Sequence, residues 1–558
     1  MRTILSLRGH LYLRTVSIFL IVIALVAGIA NCVPTDKYEL TMAVAPAGGG
    51  NATDETGTSP YAEGKVVDIK AVAADCYRFV SWTAPAGTFG NATTAETTFT
   101  MPARDVTVTA NFELTPPDHF KFYQVDLDTA PDINKEVKLV DEFGTVNTMV
   151  GKATSFGNPV EKVHNDVVTP ISDQNRHFTL YDLDIDQPNS WRVVVKNQFG
   201  DNQELTVAGP GWLLVPTQKE GHEEPVCLNH FLVYVVTDYE TFPFVNVHLE
   251  DQFLEEDVDI GAPHYFANPV QKTVDGNVTE IVNEAEHMVF YSAQFEAFSK
   301  TVQIENQFGP QTLNLEALEL STDMLAVPSE KISWEQPLDH FKVYPATGSS
   351  LNDEVLLVDQ FGTINTTVLD PWFFANPVAK IYNEQVTFPA NWNHHLTFYD
   401  LSYEAPPEAV WEVEVNNQFG NGQQLVVYGP VFLAVPTQKE FLGMPVGLDH
   451  FLVYEVMVSD AFSGSVELWD QWYELTTRDV DFPWYFANPV QKTHGGKVTE
   501  IMNDEHLLFY TIEGGTYSIT GLPIANQFGD RLIDVDENLP SNWLGLPSEM
   551  TYWEPYEF

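Results

Sequence analysis

The sequence predicts an all-β protein, on three observations. Trp411-Glu-Val-Glu-Val-Asn416 alternates strictly, with Trp411, Val413 and Val415 on one face and polar residues on the other. That is the period of a half-buried strand. The strand stops at Asn417-Gln-Phe-Gly420, where Gly supplies the turn conformation, and Gln423-Gln-Leu-Val-Val-Tyr428 returns as a second strand. No amphipathic helical window of convincing length interrupts such segments anywhere in the chain.

The chain has 558 residues, too many for one domain. It carries 27 Lys+Arg against 78 Asp+Glu, a formal net charge of −51. With 44% hydrophobic and 13% aromatic residues it can build packed cores, which excludes a disordered acidic tail. The charge excludes nucleic acid as a partner, because phosphate contacts need Lys/Arg patches. Three cysteines are too few for a disulfide scaffold.

Residues 1–31 are expected to be a signal peptide or membrane anchor. Arg2, Arg8 and Arg14 precede an apolar run from Val16 to Ala30, and no acid occurs before Asp36. That is the secretory pattern. Gly28-Ile29-Ala30 offers a cleavage site after Ala30. Cys32 follows as in a lipoprotein, although Asn31 stands where lipidation takes a small residue. Cleavage, an uncleaved anchor and lipid attachment are the three readings. The membrane is expected to be met through this N-terminus only, placing the rest in the cell envelope or outside the cell.

Residues 37–113 are Gly/Ala/Thr-rich with short β-like runs. Tyr38 to Thr41, Gly48-Gly49-Gly50, Tyr61-Ala-Glu-Gly64, Tyr77-Arg-Phe-Val-Ser-Trp82, Thr98-Phe-Thr-Met101 and Asn111-Phe112 follow one another. In this order they resemble the divergent internalin-type B-repeat of prokaryotic surface proteins. Cys76 and Ser81 depart from that family, which usually has Gly there. The resemblance implies a small β-grasp-like module, a spacer or adhesive unit without catalysis.

From residue 118 the chain repeats itself. Asp118-His119-Phe120, Asn229-His230-Phe231, Asp339-His340-Phe341 and Asp449-His450-Phe451 open four units. Each then carries Asn-Pro-Val (Asn158, Asn268, Asn376, Asn488) and Asn-Gln-Phe-Gly (from Asn197, Asn306, Asn417, Asn526). The expected boundaries are 114–226, 227–336, 337–446 and 447–558. Each unit also repeats internally: His177, His287, His395 and His506 lead a second strand that runs to its own turn. We therefore expect four tandem β-sandwich or barrel-like domains, each with internal pseudo-twofold symmetry. An eight-bladed propeller built from the half-units is the alternative. The units resemble an uncharacterised repeat family of prokaryotic surface proteins, from which no activity transfers.

Eight strand-leading histidines recur: His119, His177, His230, His287, His340, His395, His450 and His506. They could form metal sites or pH sensors. Their presence in every half-unit points instead to packing, since a site is rarely copied into every unit. The turn residues Phe199, Phe308, Phe419 and Phe528 are read the same way. A Lys follows each Asn-Pro-Val, at Lys162, Lys272, Lys380 and Lys492, and each is expected to pair with an acid of its own unit.

Acidic clusters such as Asp182-Leu-Asp-Ile-Asp186 and Glu255-Glu-Asp-Val-Asp259 allow Ca²⁺, a hard cation that takes carboxylate oxygens. Neither has the Gly and Glu of an EF-hand loop, and adaptation to salt is the preferred reading. No nucleophile elbow, phosphate-cradling loop or His-Glu-x-x-His is present, so no enzyme and no cofactor is expected. The expected function is that of a non-catalytic exported surface protein, a stalk or adhesin for a protein or glycan ligand. A carbohydrate-binding or carbohydrate-degrading protein and a self-assembling envelope or matrix component are the alternatives.

Overall fold

The computed structural model describes residues 36–317, 323–406, 408–440, 442–459, 462–539 and 542–556. The signal or anchor and Cys32 lie outside the described residues. The chain forms two compact units that divide between Pro116 and Pro117. Every regular element among the described residues is a strand.

In the first unit, Leu40–Ala45 runs parallel to Val106–Leu114, which pairs antiparallel with Tyr77–Thr83. A second sheet holds Gly50–Asp54, Val66–Ala73, Glu96–Thr100 and Thr88–Phe89. Alternation along Val66–Ala73 sends Val67, Ile69 and Ala71 into a core with Trp82, Phe99 and Val108. Gly50 is required, because a Cβ there would come within 2.5 Å of the Phe112 ring. Cys76 stands at φ 69°, a left-handed turn conformation that explains Gly at this place in the related family. It is disulfide-bonded.

The second unit contains two closed barrels. In the first, neighbouring strands pair antiparallel in the order His119–Val125, Gly144–His164, His177–Leu183, Gly200–Lys219, His230–Tyr239, Glu255–Val274, His287–Ala293 and Met324–Glu335. Met324–Glu335 returns to His119–Val125 through Ala326 opposite Phe120, which closes the ring. The second barrel repeats the order with Phe341–Gly348, Gly362–Tyr382, His395–Leu401, Gly420–Lys439, Phe451–Ser459, Thr476–Pro489, His506–Ile512 and Asn542–Pro555. It closes through Phe341 opposite Gly545.

Sequence periodicity counts four repeats, and hydrogen bonding closes them in twos. Each repeat supplies four of eight strands, so one alone would leave two unpaired edges. The barrel-like expectation holds for the pair of repeats, not for one repeat. The propeller alternative is corrected: blades would be separate sheets around an axis, whereas here one sheet closes on itself.

Eight strands enclose a space that side chains can fill. Phe120, Phe122, Phe178, Leu214, Phe231 and Phe290 fill the first lumen. Phe341, Phe398, Phe451, Leu507 and Phe509 fill the second. Gly157 makes room for this packing, since a Cβ there would sit 2.6 Å from the Phe122 ring. The outer faces are also apolar, and hairpins cover them. Asp132–Asp141, for example, lies along Gln271–Thr273 of the next repeat.

Each hairpin turn is locked by a tyrosine from the other repeat of its pair. Tyr234 donates to Asp141 at 2.7 Å, and Tyr123 donates to Asp251 at 2.9 Å. Asn197 donates to Tyr291 and Asn306 to Tyr181, both at 2.9 Å. The second barrel reproduces the exchange: Tyr454 bonds Asp359 at 2.8 Å, Tyr344 bonds Asp470, Asn417 bonds Tyr510 at 3.1 Å and Asn526 bonds Tyr399 at 2.9 Å.

The barrels touch where Ser190 donates from N and Oγ to Pro389 and Phe388 carbonyls, each at 2.8 Å. Trp392 Nε1 donates to the Pro188 carbonyl at 3.0 Å. Cys227 in this unit is also disulfide-bonded.

Residues 337–558 expressed alone should melt in one cooperative transition, and residues 337–446 alone should not. Calorimetry decides: a cooperative melt of the single repeat contradicts the paired architecture.

Candidate functional site

Each recurrent histidine stands at the start of a wall strand and is met by the turn of the next half-unit around the barrel, which for His287 and His506 is the first half-unit of that barrel. Gln198 Nε2 lies 2.9 Å from His119 Nε2, and Gln252 Nε2 lies 2.9 Å from His177 Nε2. Gln360 reaches His506 at 3.0 Å, Gln527 reaches His450 at 2.8 Å, and Gln471 Oε1 reaches His395 at 3.0 Å. Gln307 and Gln418 bond His230 and His340. His287 faces Glu142, the one turn with Glu in place of Gln or Asn-Gln. The other ring nitrogen often meets the chain itself, as His177 Nδ1 does at the Asn175 carbonyl, 3.0 Å away. At His177 a neutral ring that donates from Nδ1 and accepts at Nε2 fits both partners.

Burial keeps these rings neutral, and the nearby lysines add to the effect. His119, His177, His230, His395 and His450 are pushed down to about 3. His287 and His506 are pushed to about 4, and His340 lies well below the usual imidazole range.

The repeated lysines differ from expectation. Lys162 donates to Gln198, and Lys272 lies 2.9 Å from His230 Nε2. Among the described residues the Nζ atoms of Lys380 and Lys492 have no hydrogen-bond partner. Among the described residues none of the four makes an ion pair. Their alternation on the wall strand points them inward against the turn, over the ring of Phe199 (5.7 Å), Phe419 (5.4 Å) or Phe528 (5.2 Å) for Lys162, Lys380 and Lys492. Cation–π attraction replaces the expected carboxylate. Burial lowers Lys272, Lys380 and Lys492 to about 7 and Lys162 to about 8. Sequence reading missed that Lys219, Lys331 and Lys439 hold the same place in the second half-units. The eighth position is Met550.

The turn phenylalanines are partly buried. Phe199, Phe308, Phe419 and Phe528 set their edges against Tyr291, Tyr181, Tyr510 and Tyr399, at centroid distances of 5.1, 5.2, 5.0 and 5.5 Å. The recurrent His, Gln, Lys, Phe and Tyr thus form one clamp around each turn.

The acidic clusters do not converge. Strand alternation sends Glu256 inward to Lys121, while Glu255 and Asp257 face outward to His248. No group of three or more His, Cys, Asp or Glu placed to hold a metal occurs among the described residues.

One feature departs from the repeat pattern. At one end of the second barrel, Trp372, Phe373, Phe432, Trp543, Tyr485 and Trp484 form a continuous aromatic patch. Phe373 lies 3.9 Å from Trp543 between centroids, Trp543 4.7 Å from Tyr485, and Phe432 5.7 Å from Tyr485. Trp372 is 51% exposed and Trp484 38%. A cavity of 450 Å³ opens beside Trp372, between Pro345, Thr347, Asp370 and Leu539. The first barrel has Thr154-Ser155 where Trp372-Phe373 stand and His264 where Trp484 stands.

Two stability effects follow from the clamps. In the pH range from 6.5 down to about 3–4 the unfolded chain binds protons that the native histidines refuse, so their contribution is complete above 6.5 and is lost on acidification. Glu286, raised by burial to about 7, acts oppositely, and its contribution is lost as pH rises. The difference between the chain and a His340→Gln variant isolates the imidazole: urea midpoints between pH 7.5 and 5 should fall less steeply in the variant. Parallel slopes would contradict a neutral buried His340. Lys492→Met copies the natural residue at the eighth position and removes a buried amine without a hydrogen-bond partner. It should raise stability, by about 1–4 kcal/mol if it behaves like replaced buried charges elsewhere. Urea titration at pH 6 measures this, and a destabilised variant would contradict the assignment.

Residues 40–116 match the divergent InlB B-repeat domain. Residues 92–203, 185–327, 299–406 and 395–545 each match the repeat of unknown function DUF7450. No curated protein and no solved structure matches the chain. The four tandem matches span most of the sequence, and the chain belongs to the DUF7450 repeat family, with a divergent InlB B-repeat domain ahead of its repeats.

Proposed function

We propose that this chain is an exported, non-catalytic surface protein in which the B-repeat and paired barrels form a stalk and the aromatic end of the second barrel is adhesive. The observation that carries the reading is a contrast between two sets of residues. The side chains repeated in every half-unit are consumed by the clamps. Trp372 and Trp484, at one barrel end, break the repeat pattern and stand 51% and 38% exposed. A B-repeat in front of the barrels and a leader-like N-terminal sequence agree with presentation outside the membrane. Presentation on a surface in many copies lets weak contacts add up.

Antibody labelling of intact cells expressing the full chain tests this. Labelling without permeabilisation, with stronger cell attachment than in cells lacking the chain, is the expected result. Labelling only after permeabilisation would overturn it.

A further inference from the structure

We propose that the aromatic end of the second barrel binds a neutral glycan chain; this rests on the adhesive reading and names its ligand class. Trp372 and Trp484 stand half-exposed at opposite ends of a run of rings, and Phe482 beside Trp484 is 45% exposed. The run is unbroken: Trp372 lies 6.5 Å from Phe373, Trp484 lies 6.5 Å from Tyr485, and Phe482 lies 5.6 Å from Trp484. Phe373, Phe432 and Trp543 within the run are buried, so a ligand meets its exposed ends, Trp372 on one side and Trp484 with Phe482 on the other. The first barrel closes equally well with Thr154, Ser155, Ala262 and His264 at the corresponding places, so the barrel wall does not need Trp372, Phe373, Phe482 or Trp484.

The polar groups beside the rings select the ligand. Asp370 and Thr347 border the cavity beside Trp372. Asp400, opposite Phe432 in the sheet, is near enough to Asp370 to be raised by its charge as well as by burial. Among the described residues no Lys or Arg borders that cavity. Carboxylates accept hydrogen bonds from hydroxyl groups and repel anions, and the net charge of −51 adds to that repulsion. A pyranose has an apolar face for an indole and a rim of hydroxyl donors for a carboxylate. The cavity is of ordinary ligand-site size. A uronate, a phosphate-bearing polymer or an anionic membrane fits none of this.

The test is tryptophan fluorescence of the full chain titrated with cellohexaose, xylohexaose, mannohexaose and chitohexaose, with polygalacturonate and phosphatidylcholine vesicles in parallel. Saturable binding of at least one neutral hexasaccharide is expected. Trp372→Ala and Trp484→Ala should each weaken it at least about tenfold, as aromatic hot-spot residues do, with unchanged melting. Failure of all four to bind, binding that survives both substitutions, or preference for vesicles or polygalacturonate would each overturn the proposal. Surface labelling and cell attachment that persist in the two variants would overturn the glycan assignment while leaving the surface role standing.

Discussion

The second unit depends on the exchange of tyrosines and turns between paired repeats. Tyr234 reaches Asp141 of the preceding repeat while Tyr123 reaches Asp251 of the following one. Neither repeat can satisfy its own buried polar groups. A carboxylate such as Asp141 also accepts from Asn268 and from the Phe143 and Gly144 amides, so losing the partner repeat would strip a buried anion of two of its donors. An unsatisfied buried group costs about 1–3 kcal/mol, more when charged. Closure of the barrel and closure of these bonds are therefore the same event, and each pair of repeats is one cooperative body.

The clamps explain why so many titratable groups are tolerated in the interior. Burial holds each imidazole neutral, and at His177 the ring is set between the Asn175 carbonyl and the Gln252 amide. Six of the seven lysines lie against an aromatic face, and Lys272 meets His230. A chain with so large an excess of acid places seven of its 27 cations in equivalent interior positions, where they support turns rather than balance surface charge. The Met at the eighth position shows that the place is shaped for a long flexible stem, with the charge secondary.

Much of this was legible in the residues. Alternation marked the strands and Asn-Gln-Phe-Gly marked the turns. The Lys partners were not legible. A repeated Lys among many acids suggests ion pairs, but alternation along the wall strand turns these amines away from the acidic surface. The aromatic end was not legible either: Trp372 lies twenty-eight positions from Asp400 and far from Trp484 and Trp543, and nothing local distinguishes an exposed Trp from a core one.

The sequence by itself determined the all-β class, the four repeats, their half-units and the B-repeat ahead of them, because side-chain periodicity and turn chemistry are local and act within a few residues. Only the tertiary structure decided that repeats close in twos, that each turn serves another half-unit, and that six scattered aromatics share one barrel end. Those are outcomes of strand pairing between residues more than a hundred positions apart, such as Phe120 with Ala326. Which edges meet is set by the burial and hydrogen bonding of the whole sheet, and no segment carries that information alone.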